Sequence, residues 1–161
     1  MITILHNVRS QHNVGSIFRT SDAAGVEKIY LCGITPAPID KYGRPNSKML
    51  KVSLGAENSV GWESAKSTTH LIDRLKKQGY AIIAVELAPM AVPYHTIKLS
   101  KKQAAKTAII MGGEVKGLSP AILRRADVIV QIPMRGTKES LNVSVAYGII
   151  AYHLLTPGFL K

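Results

Sequence analysis

Between Ile132 and Leu155 the chain changes character within a few residues. Residues 132–140 hold Pro133, Gly136 and a run of polar side chains, so they read as a loop, while residues 141–155 are apolar on nearly every side of a helix. A helix that is apolar all round is normally buried on all sides. The final helix, starting near Ser140, therefore has to pack inside the molecule with a hydrogen-bonding loop at its mouth. Such a place is where a small-molecule site is expected. The run is too short to cross a membrane and carries Asn142, Ser144 and His153.

The segments upstream supply what that helix packs against. Residues 2–5, 27–32, 80–87, 107–111 and 127–132 are short, continuous apolar runs, the pattern of strands buried on both faces. Helical periodicity predicts helices over 14–24, closed by Gly25, and over 68–78, closed by Gly79. Ser119-Pro120 reads as a helix start running to about Arg125. Residues 48–54 suit a short helix and 59–62 a strand, while 88–93, with Pro89 and Pro93, reads as loop. Strands alternating with helices define an α/β fold, a mostly parallel sheet with helices on both faces. In such sheets ligands bind beyond the carboxyl ends of the strands, which singles out the loops after Glu86, Met111 and Ile132. The 33–45 loop, with Pro36, Pro38 and Pro45, is long for a compact domain, which marks it as functional or mobile.

The 161 residues are 46% hydrophobic and 19% charged, a balance that suits one domain spanning 1–161. A single cysteine, Cys32, excludes an internal disulfide and a thiol-rich metal site, and a reducing, cytoplasmic setting fits it. Met1–His6 lacks the basic start and small-residue cleavage site of a signal peptide. The formal net charge of +11 points to nucleic acid or another polyanion. Lys41, Arg44, Lys48 and Lys51 share one segment free of acids after Asp40, and Lys98, Lys101, Lys102 and Lys106 share another. Read as charge runs without aromatics among them, both segments suggest phosphate contact rather than a stacking platform for single strands.

Common α/β signatures are absent. No Gly-x-Gly-x-x-Gly follows the first strand, and there is no Walker loop and no Gly-x-Ser-x-Gly elbow. His6, His12, His70, His95 and His153 lack metal-ligand spacing. Three polar clusters remain. Asn13, Gly15, Ser16 and Arg19 open the first helix, where Asn13 could simply be its N-cap. Gly112, Gly113, Glu114 and Gly117 directly follow a strand, where glycine lets backbone approach a ligand closely or merely makes a tight turn. Ser140, Leu141 and Asn142 open the last helix, whose free N–H groups favour an anionic or polar group, with Ser140 also able to cap it.

Together these clusters resemble the SpoU/TrmH branch of the SPOUT methyltransferases, which use S-adenosylmethionine to methylate a ribose 2′-hydroxyl in tRNA or rRNA. The family's Asn-x-Gly-x-x-x-Arg matches Asn13, Gly15 and Arg19, and its Gly-x-Glu-x-x-Gly matches Gly112, Glu114 and Gly117. Its Ile-Pro-Met…Ser-Leu-Asn-Val-Ser-Val-Ala matches Ile132, Pro133, Met134 and Ser140 to Ala146 without a break. The resemblance covers almost the whole chain, and the third motif looks more like the guanosine 2′-O branch than the shorter wobble-base enzymes.

The resemblance implies a C-terminal trefoil knot, which general topology rules make improbable, and a homodimer with the active site at or near its interface. It implies S-adenosylmethionine held mainly by backbone, at Met111, Gly112, Gly113 and Gly117, at Ile132, Pro133 and Met134, and at Leu141, with Glu86 and Leu87 as a third wall. It further implies catalytic roles for Asn13, Arg19, Glu114, Ser140 and Asn142. Asn13 would position Arg19 or the ribose, and Glu114 would anchor one of the two. A guanidinium stays protonated, so orienting the hydroxyl, holding the adjacent phosphate and stabilising the oxyanion are the roles that suit Arg19. With no separate RNA-binding domain expected, RNA would be held by Lys41, Arg44, Lys48, Lys98, Lys101 and Lys102, or by a partner. Two other readings compete: a non-catalytic RNA-binding module that keeps the fold, and a methyltransferase for a base nitrogen or a protein.

Overall fold

The computed structural model describes residues 1–155. Its strands are β1 (Ile2–His6), β2 (Lys28–Cys32), β3 (Gly61–Ala65), β4 (Ala81–Val85), β5 (Val92–Pro93), β6 (Thr107–Gly112) and β7 (Val128–Gln131). They form a sheet in the order β3-β2-β1-β6-β4-β7-β5 in which every pairing is parallel. The helices are α1 (Gln11–Ala24), α2 (Ser47–Ser53), α3 (Ala56–Ser59), α4 (Thr68–Lys77), α5 (Lys101–Ala105), α6 (Pro120–Leu123) and α7 (Val143–Leu155).

Side chains alternate across the sheet and divide the core in two. Ile2 and Ile4 of β1 pack with Leu71, Ile72 and Leu75 of α4. Leu5 packs on the other side with Phe18 of α1 and Tyr147 of α7. Both faces are thus covered, as continuous apolar strands require. Tyr147 is fully buried, and its hydroxyl shares hydrogen bonds with Ser21 Oγ (2.6 Å) and Thr3 Oγ1 (3.0 Å), tying α7 to α1 and β1. Burial pushes its phenol above the ordinary value despite these two partners. No described helix is long and apolar enough to cross a membrane.

Several expectations are corrected. Helix α1 begins at Gln11 because Ser10, not Asn13, is its cap: Ser10 Oγ accepts from Asn13 N at 3.2 Å. Helix α7 begins at Val143, not Ser140, because the Asn142 carbonyl and side chain accept from Ala146 N and Ser144 N. The segment read as a strand over 59–62 holds the end of α3 and the start of β3, and the loop read over 88–93 closes on the short edge strand β5. Helix α7 is not buried all round. Its face carrying Val145 (50% exposed) and Tyr152 (44%) is open.

Candidate functional site

Because the sheet is parallel, β1, β6, β4 and β7 deliver their carboxyl ends side by side. The loops leaving β4, β6 and β7 enclose a cavity of about 610 Å³, within the range of small-molecule sites. Glu86 and Leu87 form one wall; Gly112, Gly113, Glu114 and Gly117 a second; and Ile132, Met134 and Ser140–Asn142 a third, over a floor of Met111, Val143 and Ala146. Of the residues expected at a cofactor, only Pro133 falls outside this lining: it is exposed, and its neighbours Ile132 and Met134 take the inward positions. The lining also includes Lys116, Gln131 and Glu139, which the sequence reading missed. Each adjoins a motif residue, which was the available signal.

The second wall is packed too tightly for side chains. A Cβ on Gly112 would lie 2.8 Å from the carbonyl carbon of Gly117, and one on Gly113 would collide with the Asn7 carbonyl oxygen. Gly117 itself has φ +57° and backs onto the Glu86 carboxylate. Glu86 accepts from Leu118 N (2.7 Å) and Leu87 N (3.0 Å), so its carboxylate braces two walls against each other. Gly15 likewise serves packing and not a ligand: a Cβ there would meet the Met49 carbonyl oxygen of α2 at 2.7 Å.

A chain of side-chain hydrogen bonds joins the three clusters. Asn13, only 8% exposed, donates Nδ2 to Glu114 Oε1 (2.7 Å) and accepts at Oδ1 from Asn142 Nδ2 (3.1 Å). Asn142 Oδ1 accepts in turn from Ser144 N (2.9 Å) and Ser144 Oγ (2.7 Å). The Asn13 amide orientation is fixed by this chain, with its NH₂ toward a carboxylate and its oxygen toward a donor. The third wall is the opposite case: none of residues 133–141 makes a hydrogen bond or ion pair to the other described residues. Its amides and carbonyls are therefore available to a ligand.

Two expected site residues stand apart. Ser140 lines the cavity but has no hydrogen bond among the described residues, since Asn142 has taken the cap. Arg19 is exposed, lines no part of the cavity and makes no hydrogen bond or ion pair among the described residues. At about 100° per residue it points roughly 120° away from Asn13 around α1, so Glu114 anchors Asn13 and not Arg19. The basic candidates also divide. Lys41, Arg44 and Lys48 follow β2 toward the β3 edge of the sheet, whereas Lys98, Lys101 and Lys102 follow β5 at the opposite edge. Within one chain the two groups are not one footprint. Among the described residues no His, Cys, Asp or Glu cluster could hold a metal ion.

A parallel sheet whose central strands end on a cavity enclosed by the loops after β4, β6 and β7, two of them carrying motif residues, defines a cofactor-binding α/β protein of the SPOUT methyltransferase type. The chain belongs to the SpoU rRNA Methylase family, whose model matches residues 1–152. It is 33% identical over 156 residues to a tRNA (guanosine(18)-2′-O)-methyltransferase of Aquifex aeolicus, covering 94% of this chain and 67% of that one. It is 34% identical over 151 residues to the tRNA (guanosine(18)-2′-O)-methyltransferase of Escherichia coli K12, covering 92% and 59%. The AdoMet-bound rRNA methyltransferase of Sinorhizobium meliloti superposes with a TM-score of 0.83 at 31% identity, covering 94% of this chain and 54% of that one. The chain thus spans between about half and two thirds of the length of these relatives.

Proposed function

We propose that this chain is an S-adenosylmethionine-dependent methyltransferase acting on a ribose 2′-hydroxyl in tRNA or rRNA. The observation that carries the reading is the Glu114–Asn13–Asn142 chain, in which Asn13 links Glu114 of the second cavity wall to Asn142 of the third and so ties residues of three distant motifs together. The family and the names of the relatives supply the substrate class.

The cavity fits the cofactor. Leu87, Met111, Ile132, Met134 and Leu141 offer apolar contact for its adenine and for the carbons around its sulfonium, and the unpaired backbone of 133–141 offers groups for its ribose and amino acid ends. When bound, the cofactor supplies an electrophilic methyl on a sulfonium whose leaving group is neutral. The protein's task is then to place the hydroxyl in line and to manage its proton. Asn13, held from both sides, presents a fixed polar edge for the ribose. Glu114 keeps that edge in place, and Asn142 joins it to the start of α7. Arg19, unpaired and permanently charged, orients the hydroxyl through the neighbouring phosphate and stabilises the developing oxyanion.

The same reading includes one methyltransferase domain over 1–161, an RNA contact drawn from the chain's own basic surface, and a cytoplasmic setting, where tRNA and rRNA are found. It includes the family's knotted C-terminal path, consistent with β4, β6 and β7 standing out of chain order in the sheet. It also includes a homodimer, for which the open apolar face of α7 provides a surface.

The test is methyl transfer from labelled S-adenosylmethionine into total RNA, followed by digestion to nucleosides. A 2′-O-methylated nucleoside is expected; a base-methylated nucleoside, or no incorporation, overturns the reading. Arg19→Ala is expected to leave cofactor affinity within about twofold, since Arg19 lines no part of the cavity, and to reduce transfer at least about a hundredfold, the lower end of the scale for one oxyanion donor. Substantial residual turnover would remove Arg19 from the mechanism.

A further inference from the structure

The long loop after β2 ends in a small hydrogen-bonded hairpin. Ile39 pairs with Pro45, Asp40 N donates to the Arg44 carbonyl, and Gly43 N donates to the Asp40 carbonyl. Asp40 Oδ1 accepts from Tyr42 N (2.8 Å) and Arg44 N (2.9 Å), and Oδ2 accepts from Arg44 Nε (2.8 Å). The hydrogen bond from Arg44 N, joined by the other two, holds this carboxyl below its ordinary pKa although it is solvated.

The hairpin presents Tyr42, 69% exposed. Lys41 Nζ lies 4.9 Å and Arg44 Cζ 5.0 Å from its ring centroid. This corrects the expectation that the basic segment carries no stacking aromatic: Tyr42 stands between Lys41 and Arg44. Behind the hairpin is a cleft of about 900 Å³ reaching Lys48 and Trp62. Through Gln11 and Lys48 it continues into a groove of about 630 Å³ that holds Arg9, His12 and Lys51 at the start of α1 and along α2. Arg9, Lys41, Lys48 and Lys51 form no ion pair among the described residues. Asp40, the carboxylate lining these clefts, is already neutralised by Arg44.

We infer that the 39–45 hairpin seats an unpaired nucleotide of the RNA substrate, with its base stacked on Tyr42. This rests on the RNA reading above and adds which part of the RNA this surface takes. The four uncompensated cations select a polyanion. The ring selects a single strand over a duplex, because a base already stacked between its neighbours has no free face for an aromatic side chain. Arg44 is fixed by Asp40 and stays. Lys41 has no such anchor, so an incoming base replaces it on the ring and the freed ammonium moves to a phosphate. The groove then carries the backbone along α2 to α1, where Arg19 lies about two turns beyond His12.

The experiment measures binding of the full chain to a labelled oligouridylate of about a dozen nucleotides, in parallel with an RNA duplex of equal length. Quenching of Trp62, the one tryptophan in the sequence, gives an independent readout from the cleft. Tyr42→Ala is expected to weaken single-strand binding about tenfold, the scale of one base on an aromatic ring. It should change duplex binding less than twofold, and Tyr42→Phe should bind as the parent does. Equal losses on strand and duplex, or no loss on either, overturn the stacking role. Because binding is scored without methyl transfer, the two readings fail separately. Tyr42-dependent binding without methylation removes only the enzyme reading, and methylation with Tyr42-independent binding removes only this one.

Discussion

Asn13 shows how little freedom a polar side chain beside the cavity can be left with. Its amide is nearly buried, donates to Glu114 and accepts from Asn142. Removing it strips a carboxylate of a charge-assisted donor and an amide of its acceptor in one step. Asn13→Ala is therefore expected to cost about a hundredfold in kcat, the range of one mispositioned electrostatic contact, with cofactor affinity changed only severalfold. Calorimetric titration beside steady-state rates separates the two effects. A parallel fall in affinity and rate would show that Asn13 shapes the cofactor pocket and does not place the ribose. Arg19 is the contrasting case: exposed and unpaired, it can be replaced with stability changed by no more than about 0.5 kcal/mol, so an Arg19→Ala defect read in catalysis is not a folding defect.

Among the elements, α4, β4 and β7 are stitched by one acid. Asp127, just before β7, accepts from Lys76 Nζ (2.6 Å) and from Ile82 N (2.8 Å). Partial burial raises its pKa, but the hydrogen bonds from Lys76 and Ile82 outweigh this and hold it below the ordinary carboxylate value. A depressed folded-state pKa adds stability above the unfolded value, near 4, and the contribution is lost as pH falls through the folded value. Asp127→Asn is thus expected to cost about 1 kcal/mol at neutral pH, discounted for exposure, and in denaturant titrations the gap should narrow as pH falls below about 4 and close once it passes the folded-state value. A gap that persists there would assign the cost to lost packing.

This is also the scale at which the sequence was most readable. Long apolar strands such as β4 and β6 announced themselves because burial on both faces leaves no polar alternation to blur the pattern. Helix α5 and strand β5 did not, being too short for any period to show. The start of α1 was misplaced because Ser10 and Asn13 are equally good caps in sequence, and only Glu114, far along the chain, decides that Asn13 is needed elsewhere. The candidate site was legible to the extent that it is contiguous: Ile132–Met134 and Ser140–Asn142 sit in one run, whereas the Asn13–Glu114 bond depends on chain path. Tyr42 was in plain view, but only its exposure and the two cations over its ring distinguish it from a core aromatic.

For the whole molecule, α7 joins the two halves of the reading. One face carries Tyr147 into the core while the other leaves Val145 and Tyr152 open, and Asn142 at its start touches the cavity. A dimer through that open face would bring a second copy close to the cavity wall that Asn142 lines. Val145→Glu is expected to turn a dimer into a monomer in light scattering and to lower transfer with it, by putting a charge into an apolar contact. An unaltered mass would move the interface to another surface.

The strand order also sets a timetable for the chain's synthesis. Strand β1 is made before the other strands of the sheet, yet Ile2 pairs on one side with Ala108 of β6, so the centre of the sheet stays open until β6 has been made. Partners this distant slow folding, and an apolar strand with one edge open while it waits invites association with other nascent chains. The β1–β2–β3 half can form early, but its join to β6 comes late, and the yield in a cell should depend on chaperone supply more steeply than the final stability would suggest.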